Sequence, residues 1–268
     1  MIKVSVVMSV YNSEKYIKET INSILDQTFQ NFEFIIIDDG SRDNTSEILK
    51  EYKKKDKRIK VITLAENLGL TKALNKGIKA ASGEYIARID CGDIALPERL
   101  KVQVQFLDDH RDIYAVGSWA NIIDKDGKVT AQLKYPTSYE DIRRVILAYN
   151  PFIHPSLMFR REVFEKIGLY NESLRYAQDY DLMLRIVAKL KAVNLPKVLL
   201  NYRVIDESIS LKNRRLQEWC AIRARINALI KYGYPKHEAI KLIKPIIFFL
   251  IPMRIKNYFT LKCKRKVL

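Results

Sequence analysis

The segment Phe34-Ile35-Ile36-Ile37-Asp38-Asp39-Gly40-Ser41 gives the clearest indication of the fold, because an uninterrupted apolar run ends there in two acidic residues and a glycine. A strand that is apolar on both faces is typical of a parallel sheet covered by helices. Two more apolar runs end in polar residues, at Tyr11-Asn12 and at Asp90-Cys91-Gly92-Asp93. Ligands of open α/β sheets bind at the carboxyl ends of the strands. The carboxylates at these ends therefore indicate a divalent cation, a nucleotide or both.

Strand and helix patterns alternate through the first third of the chain. We predict strands over residues 2–10, 34–38, 59–64 and 84–90. The segments between these strands have helical periodicity, so the alternation indicates one half of a doubly wound, nucleotide-binding fold. The following residues, to about 210, are less regular, as we expect of a half that binds an acceptor. A late strand is predicted over residues 198–203.

Five segments in this order resemble family 2 glycosyltransferases. They are VSVVMSVYN, IIIDDGS, ENLGLTKALN, GEYIARIDCGDIALPERL and AQDYDLMLR, and the resemblance covers about residues 2–210. It implies an α/β protein with the GT-A fold, a doubly wound mixed sheet flanked by helices. It also implies that a sugar is transferred, with inversion, from a nucleotide sugar to a hydroxyl of a saccharide or lipid-linked saccharide. UDP is the expected nucleotide, and family analogy places the reaction in bacterial surface polysaccharide biosynthesis.

The resemblance identifies candidate residues for the nucleotide sugar. Asp39 would accept a hydrogen bond from the nucleobase, since a carboxylate is an acceptor-only group that suits an imide N–H. Tyr11 and Asn12 would line the same pocket, and Asn67 would touch the nucleoside. The alternatives are that Asp39 caps the next helix, that Tyr11 is a packing residue and that Asn67 lies in a plain turn. We expect Asp38 to cap or to support its neighbour.

Asp90-Cys91-Gly92-Asp93 lies where the family has its DxD motif, but Gly92 replaces the second carboxylate. A Mg²⁺ or Mn²⁺ ion there would neutralise charge on the diphosphate leaving group. Mg²⁺ needs only one or two carboxylates when phosphates and water complete its shell. We therefore expect Asp90 to contact the nucleotide sugar and the metal, and Asp93 to bind the metal directly or through water. The alternative for Asp93 is a cap of the following turn.

A second departure from the family concerns the late strand. The family often has a histidine two residues after an arginine, whereas this chain has Ile205 two residues after Arg203. The metal would then have fewer protein ligands, or cations such as Arg203 would share in neutralising the diphosphate. The sequence leaves both alternatives open.

The segment Gln178-Asp179-Tyr180-Asp181-Leu182 matches the base motif of the family. By this resemblance Asp179 is the general base that deprotonates the acceptor hydroxyl, and the alternative is that it caps a helix. We expect Asp181 to cap the helix that follows it. His154 would lie near the floor of the active site, next to the acceptor.

The C-terminal region, residues 211–268, is predicted to be a basic helical appendage to a catalytic domain over residues 1–210. It contains 15 of the 47 lysines and arginines but only two acidic residues. Its apolar run over residues 246–253 is too short to span a bilayer, so we expect it to lie on an anionic membrane surface. The alternative is a helix that packs on the catalytic domain.

Three well separated cysteines and an N-terminus without the pattern of a secretory signal indicate a cytoplasmic protein, peripheral on the inner face of the membrane. The cysteine spacing disfavours a disulfide framework and a zinc site. Three other functions remain open: a nucleotide-sugar-binding protein without activity, a sugar nucleotidyltransferase and a nucleic-acid-binding protein. The nucleotidyltransferase lacks its glycine-rich phosphate loop here, and apolar residues among the C-terminal lysines favour a membrane over nucleic acid as partner.

Overall fold

A computed structural model of the chain describes residues 2–204 and 214–251, except for the side chain of Arg214. Four parallel strands form its N-terminal part: β1 (Val4–Val10), β2 (Phe32–Asp38), β3 (Ile59–Thr63) and β4 (Tyr85–Arg88). They lie in the spatial order β3-β2-β1-β4. They are connected by α1 (Ile17–Leu25), α2 (Thr45–Lys55) and α3 (Leu70–Ala80). The predicted strands of this half are confirmed to within two residues.

The next part extends the same sheet mainly with antiparallel pairs, although its longest pairing, between the sixth and ninth strands, is parallel. Its elements are β5 (Ile94–Ala95), α4 (Arg99–Asp109), β6 (Ile113–Ile123), β7 (Val129–Leu133), α5 (Tyr139–Val145), β8 (Met158–Arg160), α6 (Glu162–Lys166), α7 (Gln178–Lys189) and β9 (Lys191–Arg203). Strand β8 joins the two parts because it is antiparallel to both β4 and β6. The order continues β8-β6-β9-β5, and β7 pairs with β6 outside this path. The result is the mixed sheet that the sequence predicted.

Both faces of the central strands are covered, which explains their continuous apolar sequences. Val7 and Ile37 belong to a buried cluster with side chains of α3 and α7. Met8 and Ile36, one residue away on the same strands, belong to a second cluster with side chains of α1 and α4. Successive side chains of a strand point to opposite faces, so two layers of helices bury the sheet between them.

Two helices follow in the C-terminal part, and the first of them packs on the rest of the fold. They are α8 (Arg214–Lys231) and α9 (Ile243–Leu250), joined through a 3₁₀ segment at Lys236–Leu242. Ala224, Ala228 and Tyr234 are buried in the cluster that contains α7, as the packed-helix alternative predicts for α8. The predicted boundary at residue 210 and the run beyond residue 251 lie outside the described residues. Among those that are described, no helix is long and apolar enough to cross a bilayer.

Candidate active site

The polar residues at the ends of β1, β2 and β4 lie at one edge of the sheet, because these strands are parallel neighbours. Asp38 is fully buried and supports this edge from within. One of its oxygens accepts the backbone N–H of Ser41 at 3.0 Å, and the other accepts the hydroxyl of Ser46. These contacts fit the capping or supporting role that the sequence predicts for Asp38.

Asp39 joins the end of β2 to the turn that precedes α3. Its Oδ1 accepts the backbone N–H of Leu68 at 2.8 Å, and its Oδ2 accepts that of Gly69 at 2.9 Å. The two loops approach closely, since a Cβ on Gly40 would lie 2.7 Å from the carbonyl carbon of Glu66. Asp39 is only 2% exposed, so in this structure its carboxylate holds together the two loops that wall the predicted nucleotide pocket.

The other predicted nucleotide residues surround that wall. Tyr11 is 44% exposed and therefore offers an open ring face at the end of β1. Asn12 has a positive φ of 47°, and its Oδ1 accepts the backbone N–H of Arg42 at 2.8 Å, so it shapes the turn. Asn67 is exposed on the neighbouring turn. The structure thus brings all three to the same edge as Asp39.

Asp90 follows β4 and is paired with a buried cation. Its Oδ1 accepts a hydrogen bond from the guanidinium of Arg88, whose side chain is 3% exposed, whereas that of Asp90 is 37% exposed. Arg88 also donates to the backbone carbonyl of Val7 at 3.2 Å, so it is fixed to β1. Arg88 is not among the predicted site residues, although a charged residue inside an apolar strand is a usable signal.

Asp93 is placed differently from its predicted role as a metal ligand. Its Oδ1 accepts the backbone N–H of Arg203 at 2.9 Å, while its buried Oδ2 has no hydrogen-bond partner among the described residues. Burial, followed by the nearby charge of Asp90, raises the pKa of Asp93 well above its ordinary value. This geometry favours a structural role, in which Asp93 ties its loop to the end of β9, over direct contact with a diphosphate.

Arg203 is likewise turned inwards rather than towards a ligand. Its Nε donates to the carbonyl of Gly92 at 2.8 Å, and one terminal nitrogen donates to the carbonyl of Lys125 at 2.9 Å. The other terminal nitrogen pairs with Glu19, and the side chain of Arg203 is 2% exposed. The guanidinium therefore closes the loop around Gly92, and its contacts favour this role over the predicted contact with the nucleotide sugar.

His154 lies in a polar cluster beneath the edge. Its Nε2 and the hydroxyl of Tyr170 are 2.7 Å apart. Burial first, and then the positive charge of Arg88, lowers the pKa of His154, whereas Asp179 and Asp90 act in the opposite direction. Burial and Arg88 therefore favour the neutral form of the histidine, and its predicted place at the floor of the active site stays a prediction.

Asp179 lies in the first turn of α7, two residues after Ala177, which has a positive φ of 57°. Its Oδ2 accepts a hydrogen bond from Nδ2 of Asn150 at 3.3 Å. The predicted cap role of Asp181 is wrong, because α7 already begins at Gln178. Asp181 is instead buried inside the helix and pairs with Nε of Arg185 at 2.9 Å.

The described residues offer few protein ligands to a metal ion. Within residues 2–204 and 214–251, no group of three or more His, Cys, Asp or Glu side chains could hold a metal ion. Asp90 does offer a partly exposed carboxylate, and a hard cation needs few protein ligands when phosphate oxygens accompany it. The residues fit a divalent cation that would be held by Asp90 and by the diphosphate of a bound donor.

Comparison with known sequences gives consistent matches. The family description Glycosyl transferase family 2 matches residues 5–168. An uncharacterized glycosyltransferase of Methanocaldococcus jannaschii is 40% identical over 80% of this chain and 75% of its own length. The O-antigen biosynthesis glycosyltransferase WbnJ of Escherichia coli is 37% identical over 76% of this chain and 81% of its own. The amylovoran biosynthesis glycosyltransferase AmsE of Erwinia amylovora is 30% identical over 95% and 96%.

Solved structures share the fold. Residues 1–349 of S. aureus TarS, in complex with UDP-GlcNAc, superpose with a TM-score of 0.72 at 24% identity, covering 91% of this chain and 71% of that one. The mannosyltransferase PcManGT from Pyrobaculum calidifontis, in complex with GDP-Man and Mn²⁺, gives 0.68 at 19% identity, covering 92% and 69%. The predicted GT-A fold is confirmed. The chain is a glycosyltransferase and belongs to glycosyl transferase family 2.

Proposed function

We propose that this enzyme transfers a sugar, with inversion, from a UDP-linked donor to a hydroxyl of a saccharide or lipid-linked saccharide in bacterial surface polysaccharide biosynthesis. The observation that carries the proposal is a pair of oriented carboxylates, Asp90 held by Arg88 after β4 and Asp179 held by Asn150 at the start of α7. In this proposal Asp90 serves the diphosphate leaving group, and Asp179 serves the acceptor hydroxyl, which is the nucleophile. The names of the O-antigen and amylovoran relatives support the pathway, and the UDP-GlcNAc bound to TarS supports the nucleotide.

Each residue has a defined task in this mechanism. Asp179 takes the proton of the acceptor hydroxyl as its oxygen attacks the anomeric carbon and the bond to the diphosphate breaks. Asp90, fixed by Arg88, would hold a Mg²⁺ or Mn²⁺ ion, which supplies neutralising charge to the leaving group. Tyr11, Asn12, Asn67 and Asp39 would hold the nucleoside. Asp39 can do so because each carboxylate oxygen keeps a second lone pair beside its backbone hydrogen bond.

A panel of nucleotides and nucleotide sugars tests the proposal. UDP, GDP, UDP-GlcNAc, UDP-glucose, UDP-galactose and GDP-mannose would be compared by thermal shift and by nucleotide release, with Mn²⁺, with Mg²⁺ and with EDTA. A ligand that binds only the folded state raises the melting temperature. We expect UDP and one UDP-sugar to do so, and the Mn²⁺ or Mg²⁺ samples to show the larger shift if Asp90 holds the cation.

The variant Asp179→Asn separates chemistry from binding. We expect it to keep the thermal shift with UDP and to lose about 10²–10⁴-fold in turnover, because it cannot accept the proton. Asp109→Asn, at the end of α4, is the matched control and should behave as the wild type. Stabilisation by GDP alone would overturn the choice of nucleotide. Full turnover in Asp179→Asn would overturn the assignment of the base.

We also propose that the C-terminal helices bind an anionic membrane surface on the cytoplasmic face. Ile247 and Leu250 of α9 are 56% and 68% exposed, and Lys244 of the same helix is exposed beside them. The sequence that follows, residues 252–268, adds six lysines and arginines and no acidic residue. Apolar side chains next to basic ones suit the interface of anionic lipids.

Vesicle sedimentation tests the membrane proposal. We expect binding to vesicles that contain phosphatidylglycerol, little binding to pure phosphatidylcholine, and loss of binding in the double variant Ile247→Glu, Leu250→Glu. Val129→Glu is the control, because Val129 is also an exposed apolar residue but lies in β7. Equal binding by both variants would contradict the proposal, as would binding to duplex DNA with a steep dependence on salt and none to vesicles.

A further inference from the structure

We propose that Asn150 is a positioning residue, which holds the carboxylate of Asp179 in the orientation that accepts the proton of the sugar acceptor. This inference rests on the proposed function, since it takes Asp179 as the general base. Its starting point is one contact, the hydrogen bond of 3.3 Å from Nδ2 of Asn150 to Oδ2 of Asp179.

The direction of this hydrogen bond is fixed by a second one. The Oδ1 of Asn150 accepts the backbone N–H of Phe152 at 3.3 Å. A backbone N–H can only donate, so the oxygen of the amide must face Phe152 and its NH₂ group must face Asp179. Asn150 therefore presents a donor to the carboxylate.

The segment around Asn150 is anchored on both sides. Before it, the guanidinium of Arg225 donates to the carbonyls of Leu147 and Ala148, at 3.0 Å each. After it, the carbonyl of Pro151 accepts Nδ2 of Asn194 at 2.9 Å. Asn150 is itself partly buried. Groups that orient a catalytic residue act best when rigid neighbours hold them, and these contacts meet that condition.

The contact has a clear chemical consequence. A carboxylate at the start of a helix can rotate, and only some rotations direct a lone pair at the acceptor hydroxyl. A donor bound to Oδ2 restricts the rotation and leaves Oδ1 for the incoming proton. A base that is oriented by a third group is the general arrangement of such catalytic sites. The loss of the third group should then lower the rate of the chemical step without weakening the binding of the donor.

Two variants test the inference by kinetics, using the UDP-sugar that the panel selects. Asn150→Ala removes the donor, and Asn150→Asp removes it while it keeps the shape of the side chain. We expect kcat to fall about tenfold or more in both, because misplacement of a catalytic group by about 1 Å can cost 10²-fold, with the donor KM within about twofold of the wild type. A packing role would be retained in Asn150→Asp, so wild-type kcat in that variant would overturn the inference.

The matched control is Asn121→Ala. Asn121 is also partly buried, and its Nδ2 donates to Oδ1 of Asn201 at 2.9 Å, on the strands β6 and β9. We expect wild-type kcat and KM from this variant. An equal loss of kcat in the control would show that the effect of the Asn150 variants is not specific and would overturn the inference.

A readout without turnover separates this inference from the proposed function. We expect the side-chain amide signal of Asn150 in a ¹⁵N NMR spectrum to move with pH in the wild type and to stay still in Asp179→Asn. If the Asn150 signal still moved with pH in Asp179→Asn, the hydrogen bond between Asn150 and Asp179 would be disproved. If the wild type turns over no donor but the signal responds as expected, the proposed function fails and the contact between Asn150 and Asp179 stands.

Discussion

Glu33 illustrates how a single buried carboxylate is stabilised in this protein. It lies in β2, is 2% exposed, and accepts hydrogen bonds from the hydroxyl of Ser5 at 2.6 Å and from the backbone of Ser82 at 2.8 Å. Lys60 pairs with its other oxygen at 2.6 Å. Burial alone would raise the pKa of Glu33, but the hydrogen bonds from Lys60, Ser5 and Ser82 lower it to about 2.

The variant Glu33→Gln tests this arrangement. A folded-state pKa of about 2, against an ordinary value of 4.5, means that the carboxylate stabilises the fold above pH 4.5 and that this contribution is lost as the pH falls towards 2. Because Lys60 is exposed to solvent, we expect a loss of only roughly 2 kcal/mol at pH 7, measured by urea unfolding. The difference from wild type should shrink below pH 4.5. A difference that is constant with pH would contradict this, and Glu51→Gln on exposed α2 is the control.

The sequence predicted at which strand ends the site residues lie, but not the direction in which their side chains point. Asp39 and Asp90 were found because they follow apolar strands, and such strands end at a common edge. The side chains of Asp93 and Arg203 turn inwards, towards each other's loops, which a sequence does not show, and their contacts with a metal and a donor stay predictions. Arg88 was not predicted as a site residue, because a sequence does not show that its guanidinium folds back onto Asp90.

At the scale of elements, the start of α7 is strained. Ala177 has a φ of 57° immediately before the helix that carries Asp179. This left-handed region costs a residue with a Cβ roughly 1–2 kcal/mol. We expect Ala177→Gly to raise the free energy of unfolding by about 1 kcal/mol and to lower turnover, because glycine leaves the base less constrained.

Denaturant unfolding and steady-state kinetics measure the two effects. The control is Ala80→Gly, at the exposed C-terminal end of α3, where glycine should instead destabilise by about 0.5–1 kcal/mol. If Ala177→Gly destabilised the protein as much as the control does, the strain at this position would be disproved.

Elements of the second half were harder to predict because β9 breaks a local rule. It was predicted only over residues 198–203, since Pro196 normally ends a strand. In the structure β9 begins at Lys191, and its pairing with β6 jumps from Leu195 to Val198. The proline and Lys197 therefore lie in a bulge, and the long strand continues on both sides of it. Pairing with β6 on both sides of the bulge keeps the proline within the strand.

At the scale of the whole molecule, α8 belongs to the catalytic body. The buried side chain of Arg225 donates to two backbone carbonyls, two and three residues before Asn150. Its guanidinium lies 4.8 Å from the ring centre of Tyr180. We expect Arg225→Ala to lower the free energy of unfolding by roughly 2–3 kcal/mol, since buried carbonyls would lose a charged donor. Arg223→Ala is the control, because Arg223 is exposed on the same helix. Equal unfolding midpoints for the two variants would contradict the prediction.

The C-terminal segment contacts two elements that position Asp179: the backbone before Asn150 and helix α7. Arg225 holds the backbone that precedes Asn150, and directly after α8 the hydroxyl of Tyr232 donates to Asp181 at 2.9 Å, two residues from Asp179. Thermodynamic reciprocity then applies. If a surface bound to these helices changes the affinity for donor by some factor, the donor must change the affinity for that surface by the same factor. Vesicle binding measured with and without UDP would therefore report on the donor site.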